Sequence, residues 1–564
     1  PFRRGKMQLE GSEVKDNKPE SYRITFFGEV VTLKDFFAED KLDSLDYASV
    51  NELYSGANVQ ASITSTADLD VRYPLITSDR RWADSGATAD DITVSGGAVL
   101  YSDLFPAIKV SKIFEFIQTK YGITFSGTFL SSNKFLKLFT LFKNRDVPNF
   151  TTEARRLQWT TASGDALKNY SAISPYNSGV VEVLYRQASN TGGSYPYYAI
   201  PASAVPVGVQ THRVTYYINP SVVDQYYVDV YKNNVLQYTI TNTGSASFDI
   251  ETVTNTPGQY DLWSIKVRAD VVMTISGTIQ YEFDYSYILS GTTYSLTLTD
   301  TATVDGETLS VYYDFDNLAP DIKVADYFSG ILKMFNLTCY PLATANNFQI
   351  EPLDVWYAGG GKVDITQYVV TDSIKYDRPK LYKEINFAYT PSKSFMNVDF
   401  KGSYNREYGS LNNDFGFDGG KFDVKLPFEN LLFQRFAGTN LQVGHLLDKA
   451  VAGKTYIPAP INLYLNESKT VSFYFNNGGS TVLLSSYMPF GQDFVFNGSQ
   501  NYSSNFGSDI SSLLNTTVTN SLYKIYYEPY LLNLFNDKTR LVTLKAILPI
   551  QMLCTLSLDD AIIV

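Results

Sequence analysis

One stretch of this sequence occurs twice, and the duplication constrains the fold more than any other feature. Residues 106–125 align without a gap with residues 320–339. The identical positions are Pro106/Pro320, Ile108/Ile322, Lys109/Lys323, Val110/Val324, Phe114/Phe328, Ile117/Ile331 and Thr124/Thr338. Because shared composition alone rarely keeps such a register, we interpret the pair as an internal repeat.

Each copy is predicted to form a short amphipathic helix, a turn and the start of a strand. In the first copy, the apolar side chains on one helical face are Val110, Phe114, Ile117 and Tyr121. Gly122 and Asn336 follow the two helices, and these residue types best tolerate the left-handed conformation that ends a helix. An alternating apolar pair comes next in both copies, as at the start of a strand. We call these helix-turn-strand units repeat 1 (106–125) and repeat 2 (320–339).

Length and composition indicate several domains made mostly of strands. A chain of 564 residues exceeds the size at which single cores stop growing, so about three to five domains are expected. Apolar residues make up 44% and charged residues 18%, which argues against general disorder. The 43 Tyr and 36 Phe favour strands. The predicted fold class is therefore mainly β with a few short α-helices (α+β).

Residues 150–315 separate the two repeats and are predicted to be an inserted antiparallel β-sandwich. Alternating runs recur there at short intervals with turn residues between them. These runs are residues 214–218, 226–231, 235–240, 262–267, 271–276 and 278–283.

The remaining segments predict further strands, one more helix and a long loop. The expected elements are a hairpin of residues 5–10 and 21–28, a helix over 32–46 with Thr32 as N-cap, and strands at 383–389, 523–527 and 539–548. Residues 402–423 are rich in Gly, Asn, Asp and Phe, which predicts a surface loop. Residues 465–507 predict a polar, aromatic β excursion.

Charge and hydropathy exclude two classes of partner. The net charge of −12 removes the basic surface that sequence-independent nucleic-acid binding requires. No apolar run reaches the roughly 18 residues of a membrane-spanning helix, and no signal peptide is recognisable. The chain begins at Pro1 and ends at Val564 within an apolar strand pattern, so we interpret it as an internal segment of a longer polypeptide.

Three local motifs resemble chemical sites without meeting their requirements. Residues 453–455 match the end of a phosphate-binding loop, but Asp448 stands where that loop needs glycine. Residues 414–416 match a kinase triplet by letters alone. Asp414, Asp418 and Asp423 are oxygen ligands suited to calcium, yet their spacing fits no EF-hand, so a solvated loop is the favoured interpretation.

Catalytic side chains are sparse. His212 and His445 are the only histidines, so no His pair at helical spacing exists for zinc and a nucleophilic triad would depend on one of two isolated rings. Cys339 and Cys554 lie far apart in apolar surroundings and are interpreted as buried free thiols. Two carboxylates meeting in space remain an open alternative among 58 acidic residues. We predict no enzyme activity, cofactor or metal site.

Four groups of segments resemble the tail hub (baseplate hub) proteins of tailed phages that infect Bacteroides-type bacteria. These segments are 22–29 with 33–45, 104–110 with 121–125, 331–337 through 348–354, and 537–540 through 556–560. The blocks 150–315 and 465–507 find no match in that pattern. The family also carries a segment before the first hairpin that is absent here.

The resemblance implies a homotrimer in which each subunit contributes two tube-type β-barrel domains to a ring beneath the tail tube. The implied segments are 1–103, a first tube-like β domain that is incomplete at its N-terminus; 104–149, the first helix-turn-strand unit; 150–315, the inserted sandwich; 316–360, the second unit; and 361–564, a second tube-like domain with insertions at 402–423 and 465–507. Two repeats in each of three chains would match a hexameric tube.

The function implied by the resemblance is structural and located in the virion. The hub would connect the tail tube or distal tail protein and the tape measure protein to tail fibres or receptor-binding proteins. An acidic channel would let DNA pass during ejection without retaining it. Two alternatives stay open: a cell-surface or virion glycan-binding protein, suggested by the abundant Tyr and the block 150–315, and a hub-linked hydrolase that opens the cell wall.

Overall fold

The computed structural model describes two compact units of the chain. It describes all residues except 1–4, 16–17, 29–32, 52–53, 85–88, 147–149, 154–166, 169–180, 187–204, 207–209, 233–234, 255–261, 270–272, 314, 343, 418, 438, 452–453, 497–498, 508–509, 512–515, 518–519 and 537. Unit 1 comprises Pro1–Val50, Val59–Pro148 and Phe315–Val564, and unit 2 comprises Asn51–Asn58 and Asn149–Asp314. The described residues form many more strands than helices, and the helices are short. The predicted mainly β fold with short helices is therefore confirmed at this level.

The α-helices are short and belong almost entirely to unit 1. Their bounds are Leu33–Phe37, Gly56–Thr64, Val110–Tyr121, Asn133–Leu136, Phe315–Leu318, Val324–Met334, Leu353–Gly359, Phe395–Tyr404, Glu528–Leu534 and Ile550–Thr555. A π-helical turn, Tyr523–Tyr527, leads directly into Glu528–Leu534.

Unit 1 contains one five-stranded sheet and four three-stranded sheets. The five-stranded sheet has the order Val71–Arg72, Ala107–Lys109, Leu138–Leu141, Asn462–Leu465 and Phe490–Gly491. The three-stranded sheets, each in spatial order, are Leu337–Pro341, Asn347–Pro352 and Thr124–Ser126; Leu411–Asp414, Glu384–Thr390 and Lys421–Glu429; Gln434–Arg435, Gln442–His445 and Ile76–Thr77; and Thr481–Tyr487, Lys469–Asn476 and Val99–Leu100.

Two-stranded pairs complete unit 1. They are Gly5–Lys15 with Lys18–Gly28, Lys362–Asp364 with Ala561–Ile563, Val369–Asp377 with Leu541–Ala546, Asp493–Phe496 with Ser499–Ser503, and Ile510–Ser511 with Thr516–Thr517. The first pair is the expected N-terminal hairpin, longer than the predicted strands and with two register shifts.

Strands from the beginning and the end of the chain share sheets in unit 1. Ile76–Thr77 runs parallel to Gln442–His445, and Val99–Leu100 runs parallel to Lys469–Asn476. Segments 1–103 and 361–564, interpreted above as two tube-like domains, therefore contribute to common sheets. Their identification as two tube-type barrels stays a prediction.

The described strands of unit 2 form two antiparallel sheets. The first has the order Leu167–Lys168, Val181–Arg186, Leu262–Ala269, Gln225–Lys232 and Val235–Thr243. The second has the order Ala246–Thr254, Gln210–Pro220, Met273–Leu289, Thr292–Tyr313 and Phe150–Glu153, with Val205–Pro206 also paired to Met273–Leu289.

The separate strands predicted at 271–276 and 278–283 are wrong, because Met273–Leu289 is a single strand. Gly277 does not interrupt it but lies at a register shift, where a Cβ would come within 1.9 Å of the Tyr217 carbonyl oxygen. Glycine thus marks a close backbone approach here instead of a turn.

The predicted strand at 523–527 is also wrong, since these residues form the π-helical turn. Alternation would place Tyr526 and Tyr527 on opposite faces of a strand. The structure buries both, together with Leu531, as one side of a continuous helical segment does. Aromatic content suggested a strand, and tertiary packing decided otherwise.

Two other segments differ from expectation in extent. The helix expected over 32–46 is only Leu33–Phe37, followed by separate 3-10 turns at Leu42–Ser44 and Ala48–Val50. The loop expected at 402–423 contains the edge strand Leu411–Asp414, which pairs antiparallel with Glu384–Thr390. An edge strand is held by backbone bonds and exposes polar side chains, so its sequence gives little strand signal.

Candidate functional site

The two repeats have the same local structure. Their helices, Val110–Tyr121 and Val324–Met334, begin at aligned valines. Gly122 ends the first with φ +61°, and the aligned Asn336 has φ +47° after the second. The strands Thr124–Ser126 and Leu337–Pro341 follow. The matching left-handed positions explain why the alignment has no gap across the turn.

The two repeats share one sheet and point in opposite directions. The strand Asn347–Pro352 lies between the two repeat strands, parallel to Thr124–Ser126 and antiparallel to Leu337–Pro341. The aligned rings Phe114 and Phe328 meet with centroids 5.4 Å apart. Contact between equivalent residues and reversed strand directions are the marks of a local twofold relation.

A carboxylate ties the shared strand to repeat 1. Thr128 donates to Glu351 from its backbone N–H at 2.8 Å and from its hydroxyl at 2.6 Å. Burial acts to raise the pKa of Glu351, but the hydrogen bonds from Thr128 and Gln349 outweigh it, so the pKa is lowered. The carboxylate therefore stays charged and holds this junction together.

The aligned pair Phe116 and Gly330 shows the largest difference in side-chain size between the two repeat helices. Phe116 is buried against Tyr47, with ring centroids 5.2 Å apart. At Gly330 a Cβ would lie 2.7 Å from Phe428 Cζ and 2.8 Å from Pro427 Cγ. Repeat helix 2 therefore approaches the strand Lys421–Glu429 more closely than any residue with a side chain would allow.

A groove opens beside the C-terminal end of repeat helix 2. Its volume is about 540 Å³. The residues that line it are mostly apolar or aromatic: Lys333, Asn336, Leu353, Tyr382, Ile385, Phe387, Phe422, Asp423, Val424, Lys425, Tyr527, Tyr530, Leu531 and Leu534. The size and lining suit an apolar group, and Lys333 and Lys425 supply positive charge at the wall.

Two of the three aspartates considered as calcium ligands, Asp414 and Asp423, make separate local hydrogen bonds. Asp414 accepts a hydrogen bond from the Gly416 N–H at 2.8 Å, which closes a local turn. Asp423 lies in the neighbouring strand and accepts from Asn386 Nδ2 at 3.1 Å. Asp418 lies outside the described residues. No group of three or more His, Cys, Asp or Glu side chains suited to a metal occurs among the residues that the structure describes.

The other candidate motifs also lie apart from one another. Thr455 forms an isolated bridge with Leu447, and Lys454 does not begin a helix; Gly453 is outside the described part of the chain. His445 is fully buried with its ring 5.3 Å from Phe395, and burial lowers its pKa to about 4, so it is neutral near pH 7. His212 lies in the strand Gln210–Pro220 of unit 2.

The cysteines show no sign of activation where they are described. Cys339 is a half-buried free thiol, and burial raises its pKa to about 12. It is therefore almost entirely protonated at neutral pH, which makes it a poor nucleophile. Cys554 lies in the helix Ile550–Thr555, and its side chain is outside the described set.

A buried carboxyl group that the motif search did not find lies at Glu429. The Tyr456 hydroxyl donates to Glu429 Oε1, and Ser392 Oγ lies 3.1 Å from the same hydroxyl. Burial raises the pKa of Glu429 to about 7, which exceeds the effect of these hydrogen bonds. The group links three segments of unit 1 and sits at the end of the strand Lys421–Glu429, directly after the apolar residues 426–428.

The most unusual surface is formed by two segments that we call the arm, residues 360–377 and 540–564. The arm contains the pairs Lys362–Asp364 with Ala561–Ile563 and Val369–Asp377 with Leu541–Ala546, and the helix Ile550–Thr555. Among the described side chains of the arm, Ile365 is the only buried one. The described side chains of these elements therefore form no hydrophobic core of their own.

The arm exposes many large apolar side chains. They are Val370, Tyr376, Leu541, Val542, Ile547, Leu558, Ile562, Ile563 and Val564. Leu558 is 90% exposed and Ile547 is 77% exposed. Scattered apolar residues on a surface are ordinary, but nine large ones on two short segments with one buried described side chain point to an interaction surface.

Comparison with known proteins gives no assignment. Neither a protein family nor a curated protein matches the chain. None of the helices in the described ranges is long and apolar enough to cross a membrane. The class that the described residues define is a mainly β protein of two compact units with an internally duplicated helix-turn-strand core.

Proposed function

We propose that this chain is a structural, non-enzymatic virion protein, the tail hub of a phage. In this role it forms a homotrimeric ring that caps or continues the tail tube and connects it to tip proteins or fibres. DNA passes through the ring during ejection. The proposal combines the resemblance stated above with the properties of the arm.

The burial pattern of the arm is the observation that carries the proposal. A two-stranded ladder is marginally stable in water unless it packs against other elements. The arm has two such ladders and only Ile365 buried among its described side chains. Elements of this kind are stable when another subunit covers them, so they are expected in a protein whose function is assembly.

The charge of the chain supports passage of DNA without retention. Acidic residues outnumber basic ones by 58 to 46. A chain with this balance repels phosphate overall and has no excess of lysines and arginines to hold a nucleic-acid backbone.

The geometry of the repeats limits how sixfold matching arises in this proposal. Neighbouring positions in a sixfold ring differ by a rotation of about 60°, which cannot reverse a strand. Thr124–Ser126 and Leu337–Pro341 run in opposite directions, so the two repeats are not successive positions of such a ring. We assign the repeats to the centre of unit 1. In this proposal, other segments match the sixfold symmetry of the tube.

Native mass spectrometry and negative-stain imaging of the purified chain test this function. The expected result is a trimer of 63.2 kDa subunits with a central opening. A chain that stays monomeric across the micromolar range contradicts the proposal. Peptidoglycan cleavage by the same sample contradicts its non-enzymatic part.

A glycan-binding role is the second candidate, and unit 2 supplies the observation in its favour. Tyr217, Tyr238 and Tyr294 on its strands are between 45% and 47% exposed. Exposed tyrosine rings provide apolar faces with a polar hydroxyl, which suits the faces of sugars. Glycan-array binding that is lost on replacing these three residues by alanine supports this role; unchanged binding or none rejects it.

A further inference from the structure

The pair Val369–Asp377 and Leu541–Ala546 leaves each strand with one unpaired edge. In the part of the chain that the structure describes, these two strands form a sheet of their own. Each strand therefore has backbone N–H and C=O groups facing away from its partner. In Val369–Asp377 the pairing passes from Val370 to Lys375, so residues 371–374, with Asp372 among them, form a bulge. Such an edge is a ready template for a further strand, and natural proteins usually protect it with another element.

The two edges carry opposite charge. Val369–Asp377 contains Asp372, Lys375 and Asp377, a net charge of −1. Lys375 also pairs with Asp377 at 2.7 Å, which leaves Asp372 as the charge that a partner strand meets. Leu541–Ala546 contains Lys545 and no acidic residue, a net charge of +1. Opposite charges on facing strands stabilise pairing, and like charges oppose it.

The charge of the arm favours a second copy of this chain over an unrelated partner. Two whole chains of net charge −12 repel each other. The arm, however, carries four basic and five acidic residues, a net charge of −1. Copies of this acidic protein therefore meet with little repulsion at the arm.

The arm also exposes apolar area that a second copy can cover. The nine large apolar side chains of the arm are between 38% and 90% exposed. Four of them, Val370, Tyr376, Leu541 and Val542, lie on the two strands with free edges.

We propose that the free edge of Leu541–Ala546 in one copy pairs with the free edge of Val369–Asp377 in the next copy. This inference rests on the proposed assembly function and names the partner of the arm. Because the two edges are different surfaces, the contact is head-to-tail, and such contacts close into a ring when the rotation between copies allows it. The paired arms then form one continuous sheet through the ring, with Lys545 of one copy facing Asp372 of its neighbour.

Zero-length carbodiimide crosslinking of an equal mixture of ¹⁴N- and ¹⁵N-labelled chains tests the pairing directly. Lys545 lies opposite Val370 within one chain, so a link to Asp372 also forms within a copy. Only links between a light and a heavy peptide report contact between copies. We expect mixed-isotope links from Lys545 to Asp372; their absence in an assembled sample overturns the proposal.

Charge reversal is the second part of the experiment. Lys545→Glu alone and Asp372→Lys alone each place like charges on facing edges, so we expect the dissociation constant of the assembly to rise about fivefold or more. The double variant restores opposite charges and is expected to recover assembly. Lys454→Glu, an exposed site outside the arm, is the matched control and leaves assembly unchanged. Thermal unfolding of each variant distinguishes lost pairing from lost folding.

The outcomes separate this inference from the proposed function. A trimer without mixed links and without a charge effect overturns the pairing and leaves the hub proposal standing. Mixed links in a ring of another size support the pairing and contradict the trimer. A monomer at all concentrations overturns both.

Discussion

The close contact at Gly330 gives a prediction whose size follows from the structure. In Gly330→Ala, the new Cβ lies 2.7 Å from Phe428 Cζ, 2.8 Å from Pro427 Cγ and 2.9 Å from Pro427 Cδ. Ordinary contacts of this kind begin near 3.4 Å. The proline ring is rigid and Phe428 is fully buried, so neither group moves aside easily. The helix must shift away from the strand Lys421–Glu429.

The net effect is a difference between two opposing contributions. Overpacking a well-filled core costs about 1–3 kcal/mol. Replacing glycine by alanine inside a helix contributes about 1 kcal/mol in the other direction. We therefore expect Gly330→Ala to lower the free energy of unfolding by up to about 2 kcal/mol.

Gly402→Ala is the matched control. Gly402 lies in the helix Phe395–Tyr404, and a Cβ there meets no atom within 4 Å. The same chemical change should stabilise by up to about 1 kcal/mol. The difference between the two variants cancels the helix propensity and isolates the overlap at Gly330, about 1–3 kcal/mol.

Urea titrations followed by circular dichroism, together with calorimetry, measure both variants. The chain has two compact units, so its unfolding profile can contain more than one transition. For each variant, the transition that the substitution shifts is compared with the same transition of the wild type. If Gly330→Ala is as stable as Gly402→Ala, the argument from close packing is refuted.

Three further predictions concern single positions. Gly122→Ala forces a side chain into the left-handed conformation at φ +61° and should destabilise the protein by about 1 kcal/mol. Asn336→Gly loses the 2.8 Å hydrogen bond from Asn336 to the Tyr526 carbonyl but relieves the same conformational cost. Its effect on thermal unfolding is therefore near zero. The pKa of Glu429 is raised from 4.5 to about 7 in the folded state, so stability is highest while the carboxyl is protonated in both the folded and the unfolded state. The free energy of unfolding falls by roughly 3 kcal/mol as pH rises from 4.5 to 7. Glu429→Gln removes this part of the pH dependence in denaturation titrations. Cys339, with a pKa of about 12 against an ordinary 9.0, should react with a thiol reagent at pH 8 about 100-fold or more slowly than a model thiol.

Each of these predictions has a result that contradicts it. Equal loss of stability in Gly122→Ala and Asn336→Gly argues against the matching role of the two stops. An unchanged pH profile in Glu429→Gln removes the carboxyl as its source, with Glu467→Gln, a partly exposed carboxyl paired to Lys469, as the control. Rapid labelling of Cys339 in the folded chain disproves its burial.

The repeats were predictable from the sequence because their signals are local. A helical apolar stripe and a residue suited to left-handed backbone specify a helix and its end wherever the chain later packs. The reversed directions of Thr124–Ser126 and Leu337–Pro341 were not predictable. Apolar spacing shows which side chains are buried but not which partner covers them.

The arm shows the same limitation in the opposite direction. Val542, Leu558 and Ile562 are of residue types that are usually found in protein cores, so a pattern of apolar positions predicts that they are buried. Only the three-dimensional structure reveals that no element of the described chain covers them. The strand predicted at 523–527 was wrong for a related reason. A run of aromatic residues fits a strand or a helix until the elements that pack against it are known.

The strand between the two repeats has a consequence for synthesis of the chain. Thr128, just after repeat 1, bonds Glu351, a residue 223 positions later, and Thr140 bonds Asn462, which is 322 positions later. At about 5–20 residues per second, the ribosome needs roughly 10–45 s to supply the first of these partners. Nearly all of unit 2 emerges during that interval. The nascent polypeptide thus carries an unfinished N-terminal core while its central section is already complete, and chaperones that shield apolar helices would act in this window.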